Sequence, residues 1–437
     1  MIILVHTAFH GENVAANLGQ PEYSYYFVLR EFRPILEKLG IVIEITDPKR
    51  EVDVIYRNCV SQGVPCIFLS FMPPNKAPIG LACPTVPVFA WEYGHLPDEG
   101  FSGKPRNDWR RVLAQLGAAI THSSFTVETV RQALNDTFPI IAAPAPLWDR
   151  LTATKHPAAP PGMRSLRLRV DGMVIDSRIT DLCEYSKARE LACEPEPLPL
   201  PPERREGVSE LELDGIIYTA VFNPGDGRKN WVDMISAFCV AFAHNADATL
   251  LLKLSHHDIS EVVPKMLECM YKGGNFVCRI LIVHGYLRQD DYERMVDATT
   301  YAVNTSHGEG QCLPLMEYMS GGKPAISPRH TAMLDYIDDT CAFVVDSFLE
   351  PGTWPHDMRQ AFRTLREHVQ VDSLIRAYRA SYYVARHEPE TYQAMAMAAV
   401  ESLRAYCSYA VVGPRLAEFL QAVIGRDQQQ ARSLSKL

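Results

Sequence analysis

Short apolar runs alternate along the chain with stretches in which apolar residues recur every three to four positions. Residues 1–6, 41–46 and 118–122 read as buried strands, and residues 25–40, 109–116 and 126–134 as amphipathic helices. Further short apolar runs occupy residues 53–57, 65–70 and 86–91. The same texture returns later, with strands expected at 216–222, 248–254, 279–284, 301–304 and 343–345 and helices at 230–243, 262–271 and 289–298. The remainder, from 358 through 422, reads as helical. Strands alternating with helices predict parallel sheets covered on both faces, an α/β architecture.

The pattern breaks between residues 142 and 202, where prolines cluster at Pro144, Pro146, Pro157, Pro160 and Pro161 and again from 195 to 202. Residues 165–170 and 173–175 flank Asp171-Gly172 and predict a hairpin. A disordered loop is the competing reading. With 437 residues the chain exceeds one ordinary domain. The expected division is an N-terminal Rossmann-like domain over 1–160, an insertion and linker over 161–215, a second Rossmann-like domain over 216–405, and a terminal helix and polar tail over 406–437.

Composition narrows the class. Hydrophobic residues make up 47% and charged residues 22%, as in ordinary globular proteins. A formal charge of −9 argues against a nucleic-acid partner, which calls for a basic surface. No apolar run is long enough for a membrane-spanning helix. The apolar start, broken by His6 and His10, fits a first strand better than a signal peptide. Eleven cysteines without a CxxC pair read as reduced thiols of a cytoplasmic protein.

The densest chemistry lies in residues 308–326. Gly308 and Gly310 allow close approach of the backbone, here expected to be to a ligand. Pro314 suits a first helical turn, while Leu315, Met316 and Met319 give an apolar face. Gly321 and Gly322 end that helix before a strand begun by Lys323. Unpaired amides at a helix N-terminus attract electron-rich groups. Glu309 stands before the helix and Glu317 within it, with seven residues between them. A second constellation, Asn223-Pro224-Gly225-Asp226-Gly227-Arg228-Lys229-Asn230, follows the 216–222 strand and opens a helix. Fixed cations there suit a leaving group whose negative charge grows. Lys253 ends a strand at the edge where α/β ligands bind, although a snorkelling lysine would look the same.

These motifs resemble the donor site of retaining GT-B glycosyltransferases of family four (group 1). The usual Glu-Gly-Phe-Gly-Leu-Pro stands here as Glu309-Gly310-Gln311-Cys312-Leu313-Pro314, Glu-Ala-Met-Ala as Glu317-Tyr318-Met319-Ser320, and Gly-x-Pro-Val-Ile as Gly322-Lys323-Pro324-Ala325-Ile326. Gln311 and Cys312 depart from an aromatic residue and a glycine. The resemblance covers roughly residues 216–345 and implies two Rossmann-like domains facing across a cleft, with a C-terminal helix near 414–423 returning to the first. It implies transfer of a sugar from a nucleoside diphosphate sugar to a hydroxyl of a glycan or lipid-linked acceptor, without cofactor or metal. Glu317 would bind ribose hydroxyls, Glu309 would face the donor sugar, and the amides of Gln311, Cys312 and Leu313 would hold sugar or phosphate oxygens. Lys229, and less directly Arg228, would take up leaving-group charge. Gly11 lies in the loop that relatives place near phosphate and acceptor, and His95 and His122 are acceptor-side candidates. The implied setting is cytoplasmic, with peripheral contact at the inner membrane surface left open.

Other motifs are missing. No GxGxxG follows the first strand and no P-loop lysine motif occurs, which disfavours dinucleotide and P-loop enzymes. His256-His257-Asp258 has no evident partner cluster for a metal. Two alternatives to the transferase stay open: a GT-B phosphorylase or synthase using sugar phosphate, and a nucleotide-binding protein that has lost turnover.

Overall fold

The computed structural model describes residues 1–9, 19–20, 22–152, 166–185 and 207–434, and Gly11 therefore lies outside the described residues. Six strands form a wholly parallel first sheet: β1 (Ile2–His6), β2 (Ile41–Glu44), β3 (Cys66–Phe71), β4 (Thr85–Phe89), β5 (Ala119–Thr121) and β6 (Ile140–Ala142), in the order β2-β1-β3-β4-β5-β6. Ile3, Val5, Leu69 and Val88 pack on one face against Phe32 and Leu36 of the Tyr23–Leu39 helix. Leu4 and Phe68 pack on the other against Val52 and Cys59 of the Pro48–Ser61 helix. That helix absorbs the 53–57 apolar run. Asp47 caps it by accepting a hydrogen bond from the Lys49 amide, with Pro48 in its first turn.

The second sheet has seven strands. They are drawn from β8 (Met173–Asp176), β10 (Ile216–Phe222), β11 (Ala248–Leu254), β12 (Arg279–His284), β13 (Tyr301–Val303), β14 (Ala325–Pro328) and β15 (Ala342–Val345), in the order β15-β14-β13-β10-β11-β12-β8. All pairs are parallel except β8 with β12. The expected hairpin across Asp171-Gly172 does not form. β7 (Leu166–Asp171) pairs with β9 (Val208–Leu213), while β8 leaves to close the edge of the second sheet. Gly172 alone separates β7 from β8, too few residues for a two-residue turn. Its φ of 150° and a would-be Cβ 2.1 Å from the His284 carbonyl oxygen show a chain squeezed across the β12 end.

The expected helix from residue 358 is also replaced in part. β16 (Ser347–Thr353) and β17 (Phe362–Val369) form an antiparallel hairpin. Glu350 stands directly opposite Arg366, and a cross-strand pair of opposite charge supports a sheet where Pro351 and Pro355 oppose a helix. Helices then cover Val371–His387, Pro389–Cys407 and Tyr409–Leu434. Val412, Leu416, Leu420 and Ile424 of the last one join the core of the first domain, the return that the resemblance implied.

Candidate active site

The site is assembled where the C-terminal ends of β10 and β13 meet two loops. After β10, Asn223 accepts a hydrogen bond from the Gly225 amide, and Asp226 accepts from the Arg228 amide and from its guanidinium. These local turns place Arg228 and Lys229 side by side. Asn230 takes φ 47°, a left-handed position that asparagine tolerates, and starts the Trp231–Ala241 helix. The loop after β13 runs beside this turn. The Thr305 hydroxyl donates to the Lys229 carbonyl, and the His307 amide donates to the Arg228 carbonyl. Two segments distant in sequence thereby form one rigid wall.

Lys229 Nζ donates to Glu309 Oε1 at 2.5 Å. Both side chains are largely buried, at 18% and 6% exposure. Burial opposes either charge, but each outweighs it for the other: Lys229 is held above its ordinary range and Glu309 below, with Arg228 adding to the second effect. Arg228 donates to the Gly308 carbonyl at 2.8 Å and pairs with Asp226 at 2.7 Å and Glu92 at 3.1 Å. Glu92 comes from the first domain, just beyond β4. Burial pushes it up to about 6, and Arg228 only partly counters this.

Lys229, Glu309, Cys312, Pro314 and Tyr318 line a cavity of about 20 Å³ together with the ends of β10 and β13. That is room for one water molecule. The glycines explain the tightness. A Cβ on Gly310 would stand 2.6 Å from Ala90 Cβ, and one on Gly308 would stand 2.7 Å from the Glu92 carbonyl oxygen. In this structure these glycines let the loop approach residues 90–92 of the first domain, so a ligand reaches them only where the two part. Gln311 adds to the seam by accepting a hydrogen bond from the Ala145 amide through its side-chain oxygen.

The helix Leu313–Ser320 begins at Cys312, which adopts φ 60° and ψ 65°. A glycine would hold that conformation without strain, and cysteine does not. Burial lifts the Cys312 thiol to about 12, aided by Glu309, so it stays neutral. Glu317, one turn inside the helix, points elsewhere than Glu309. Its two oxygens accept from Arg150 at 3.1 Å and from the Tyr292 hydroxyl at 2.7 Å, and Arg150 also binds Glu31 of the first domain at 3.1 Å. Burial raises Glu317 despite Arg150. Glu309 and Glu317 are therefore not brought into one cavity.

The remaining sequence candidates divide. Lys253 is buried at 5% exposure, donates to the Leu254 carbonyl at 2.9 Å and is pushed down to about 8 by burial. Among the described residues no carboxylate pairs with it. His95 has an exposed side chain, and its carbonyl accepts from the indoles of Trp91 and Trp354. His122 is fully buried, bonded through Nδ1 to the Ala143 carbonyl and pushed down to about 4, so neither histidine forms a wall of the cavity. Sequence reasoning named Asp226 only as part of its turn and did not place Glu92, Arg150 or Tyr292 in the site. Only Glu92 carried a signal, a charged residue just past a parallel strand.

Comparison with solved structures follows this architecture over nearly the whole chain. A glycosyltransferase from Rickettsia africae superposes with a TM-score of 0.56 at 11% identity, covering 97% of this chain and 98% of its own. Sucrose-phosphate synthase from Thermosynechococcus elongatus gives 0.56 at 12% identity, covering 98% and 100%. HepE from Anabaena, in complex with UDP-glucose, gives 0.53 at 12% identity, covering 97% and 100%. No family model matches the chain, and no curated protein matches its sequence. At these identities the likeness is one of fold: two Rossmann-like domains arranged as in GT-B glycosyltransferases.

Proposed function

We propose that this GT-B chain is a retaining glycosyltransferase that moves a sugar from a nucleoside diphosphate donor to an acceptor hydroxyl. The observation that carries the reading is the buried Lys229–Glu309 pair at the ends of β10 and β13, with Arg228 beside it. On this reading the bond between the anomeric carbon and the diphosphate oxygen breaks, and its electrons leave with the diphosphate. Lys229 and Arg228 meet the charge that develops there. The acceptor oxygen bonds to the anomeric carbon on the same face, and its proton passes to the departing diphosphate. Glu309 orients the sugar and faces its positive charge, so no carboxylate nucleophile is needed. Amides at the start of the Leu313–Ser320 helix hold phosphate or sugar oxygens. Glu317 binds the ribose by exchanging one of its present partners.

A cavity of about 20 Å³ cannot admit this donor, so the reading requires the 308–311 loop to part from residues 90–92 and close again around it. HepE is a solved relative in fold that carries UDP-glucose, which makes uridine diphosphate sugars the first donors to try. Among the described residues no helix is long and apolar enough to cross a membrane. The proposed setting is the cytoplasm, at or near the inner membrane surface, with a glycan or lipid-linked acceptor.

One observation favours a second reading, a nucleotide binder without turnover: Gln311, at a position assigned to the donor, is spent on the Ala145 amide, and Cys312 holds a strained conformation beside it. A panel of nucleotide sugars separates the two. Bound donors should raise the melting temperature, and nucleotide release from at least one should fall strongly in Lys229→Ala. A donor that binds and is never turned over, with or without acceptors, supports the silent binder. Unaltered turnover in Lys229→Ala removes the proposed charge role.

A further inference from the structure

The β16–β17 hairpin and the loop after β13 bring together two imidazoles and a carboxylate that the transferase reading does not use. One nitrogen of His307, one of His368 and a carboxylate oxygen of Glu350 lie within 4.8 Å of one another. The rings of His307 and His368 stand 4.8 Å apart between centroids, and Phe348 stacks on His368.

The outer partners fix which nitrogens face inward. His307 Nδ1 lies 2.8 Å from the Glu367 carbonyl oxygen, so it carries the proton and leaves a lone pair on Nε2. His368 Nε2 lies 3.1 Å from Asp233 Oδ2 and donates to it, so in the neutral ring the lone pair is on Nδ1. That Nδ1 is buried, has no hydrogen-bond partner, and sits 3.2 Å from Glu350 Oε1. Contact between that nitrogen and a carboxylate oxygen calls for positive charge, which a proton on Nδ1 or a bound cation supplies. Arg366 meets Glu350 through Oε1, which leaves Oε2 free. An imidazole oriented by a carboxylate on its other nitrogen is the arrangement that metal-ligating histidines use.

We propose that His307, His368 and Glu350 bind one divalent transition ion of the zinc type, with the Glu367 carbonyl and Asp233 orienting the two rings. Two imidazole nitrogens and one carboxylate oxygen suit Zn²⁺ with a fourth position for water. Glu350 and Asp233 together outweigh Arg366, so the pocket carries the negative charge a cation needs. The ion bridges two elements of the chain. It fastens the hairpin to the loop that carries Glu309, two residues beyond His307, and none of its ligands is assigned to the donor.

The test uses the full-length protein stripped of metal by a chelator, then titrated with Zn²⁺ by calorimetry and with Co²⁺ by visible absorption. One equivalent should bind, with Co²⁺ bands free of thiolate charge transfer. His368→Ala and Glu350→Gln should each lower Zn²⁺ affinity about 10-fold or more, while a His256→Ala/His257→Ala variant binds as the wild type does. Circular dichroism and the metal-free melting curve check that each variant is folded; Glu350→Gln, nearly isosteric, keeps the test valid should His368→Ala fail to fold. No saturable binding by stripped wild type, equal affinity in folded His368→Ala or Glu350→Gln, or thiolate bands from cysteine ligands would overturn the assignment.

Discussion

Lys229 Nζ and Glu309 Oε1 meet at 2.5 Å in a place where neither charge is well solvated. A buried pair of this kind contributes little beyond an apolar pair, yet removing one partner leaves a charge stranded. Lys229→Met should therefore destabilise the protein by about 3 kcal/mol, and adding Glu309→Gln should recover most of that loss. Urea denaturation of both single variants and the double supplies the cycle. Additive losses would show that the pair is not coupled.

Glu92 gives a pH signature. Its carboxyl is raised from 4.5 to about 6, so folding favours the protonated form. That contribution is fully present below pH 4.5 and disappears as pH climbs through 6. With about 1.4 kcal/mol per pKa unit, it amounts to roughly 2 kcal/mol. Glu309, shifted the other way, stabilises the fold above its ordinary range and loses that effect in acid. Glu92→Gln should flatten the stability curve between pH 4.5 and 6 relative to wild type. An unchanged slope in that window would show that another group titrates there.

The seam between Gly310 and Ala90 has no room for a methyl group. Gly310→Ala should wedge the domains apart, at a cost of about 1–3 kcal/mol to the closed arrangement. Small-angle scattering should report a larger radius of gyration, and donor turnover should fall more than donor binding. A compact, fully active Gly310→Ala protein would show that closure does not depend on this contact.

Cys312 holds a left-handed conformation at φ 60°. Cys312→Gly removes the steric clash of its Cβ and should stabilise the protein by about 1 kcal/mol. Loss of stability in thermal denaturation would mean that the side chain's packing outweighs its strain.

Much of the fold could be read from the chain because parallel strands buried on both faces are continuous apolar runs, as in β10 and β11. The Leu313–Ser320 helix was legible from Pro314 at its start and Gly322, at φ 71°, past its end. Local signals misled where pairing is decided by distant partners. β8 reads as one arm of a hairpin but joins β12 more than a hundred residues later, and β17 has enough charge to resemble an exposed helix until Glu350 is placed opposite Arg366. The site shows the same division. Lys229 and Glu309 were named from their loops, but no spacing in the chain announces that Glu92, Arg150 and Tyr292 converge on that neighbourhood. Nor does it announce that Glu317 turns toward Arg150 rather than toward the cavity.

Among the described residues the chain passes between its halves before and within the Trp148–Thr152 helix and again where Cys407 gives way to Tyr409. The two passages touch, since the Tyr409 amide donates to Asp149 at 2.6 Å and the Trp148 indole to the Val400 carbonyl at 2.9 Å. Trp354, seated in the first-domain core, and Arg359, paired with Glu99, add a second fastening after β16. Parting the 308–311 loop from residues 90–92 would therefore have to strain or release that second fastening, while the contact between Tyr409 and Asp149 could persist.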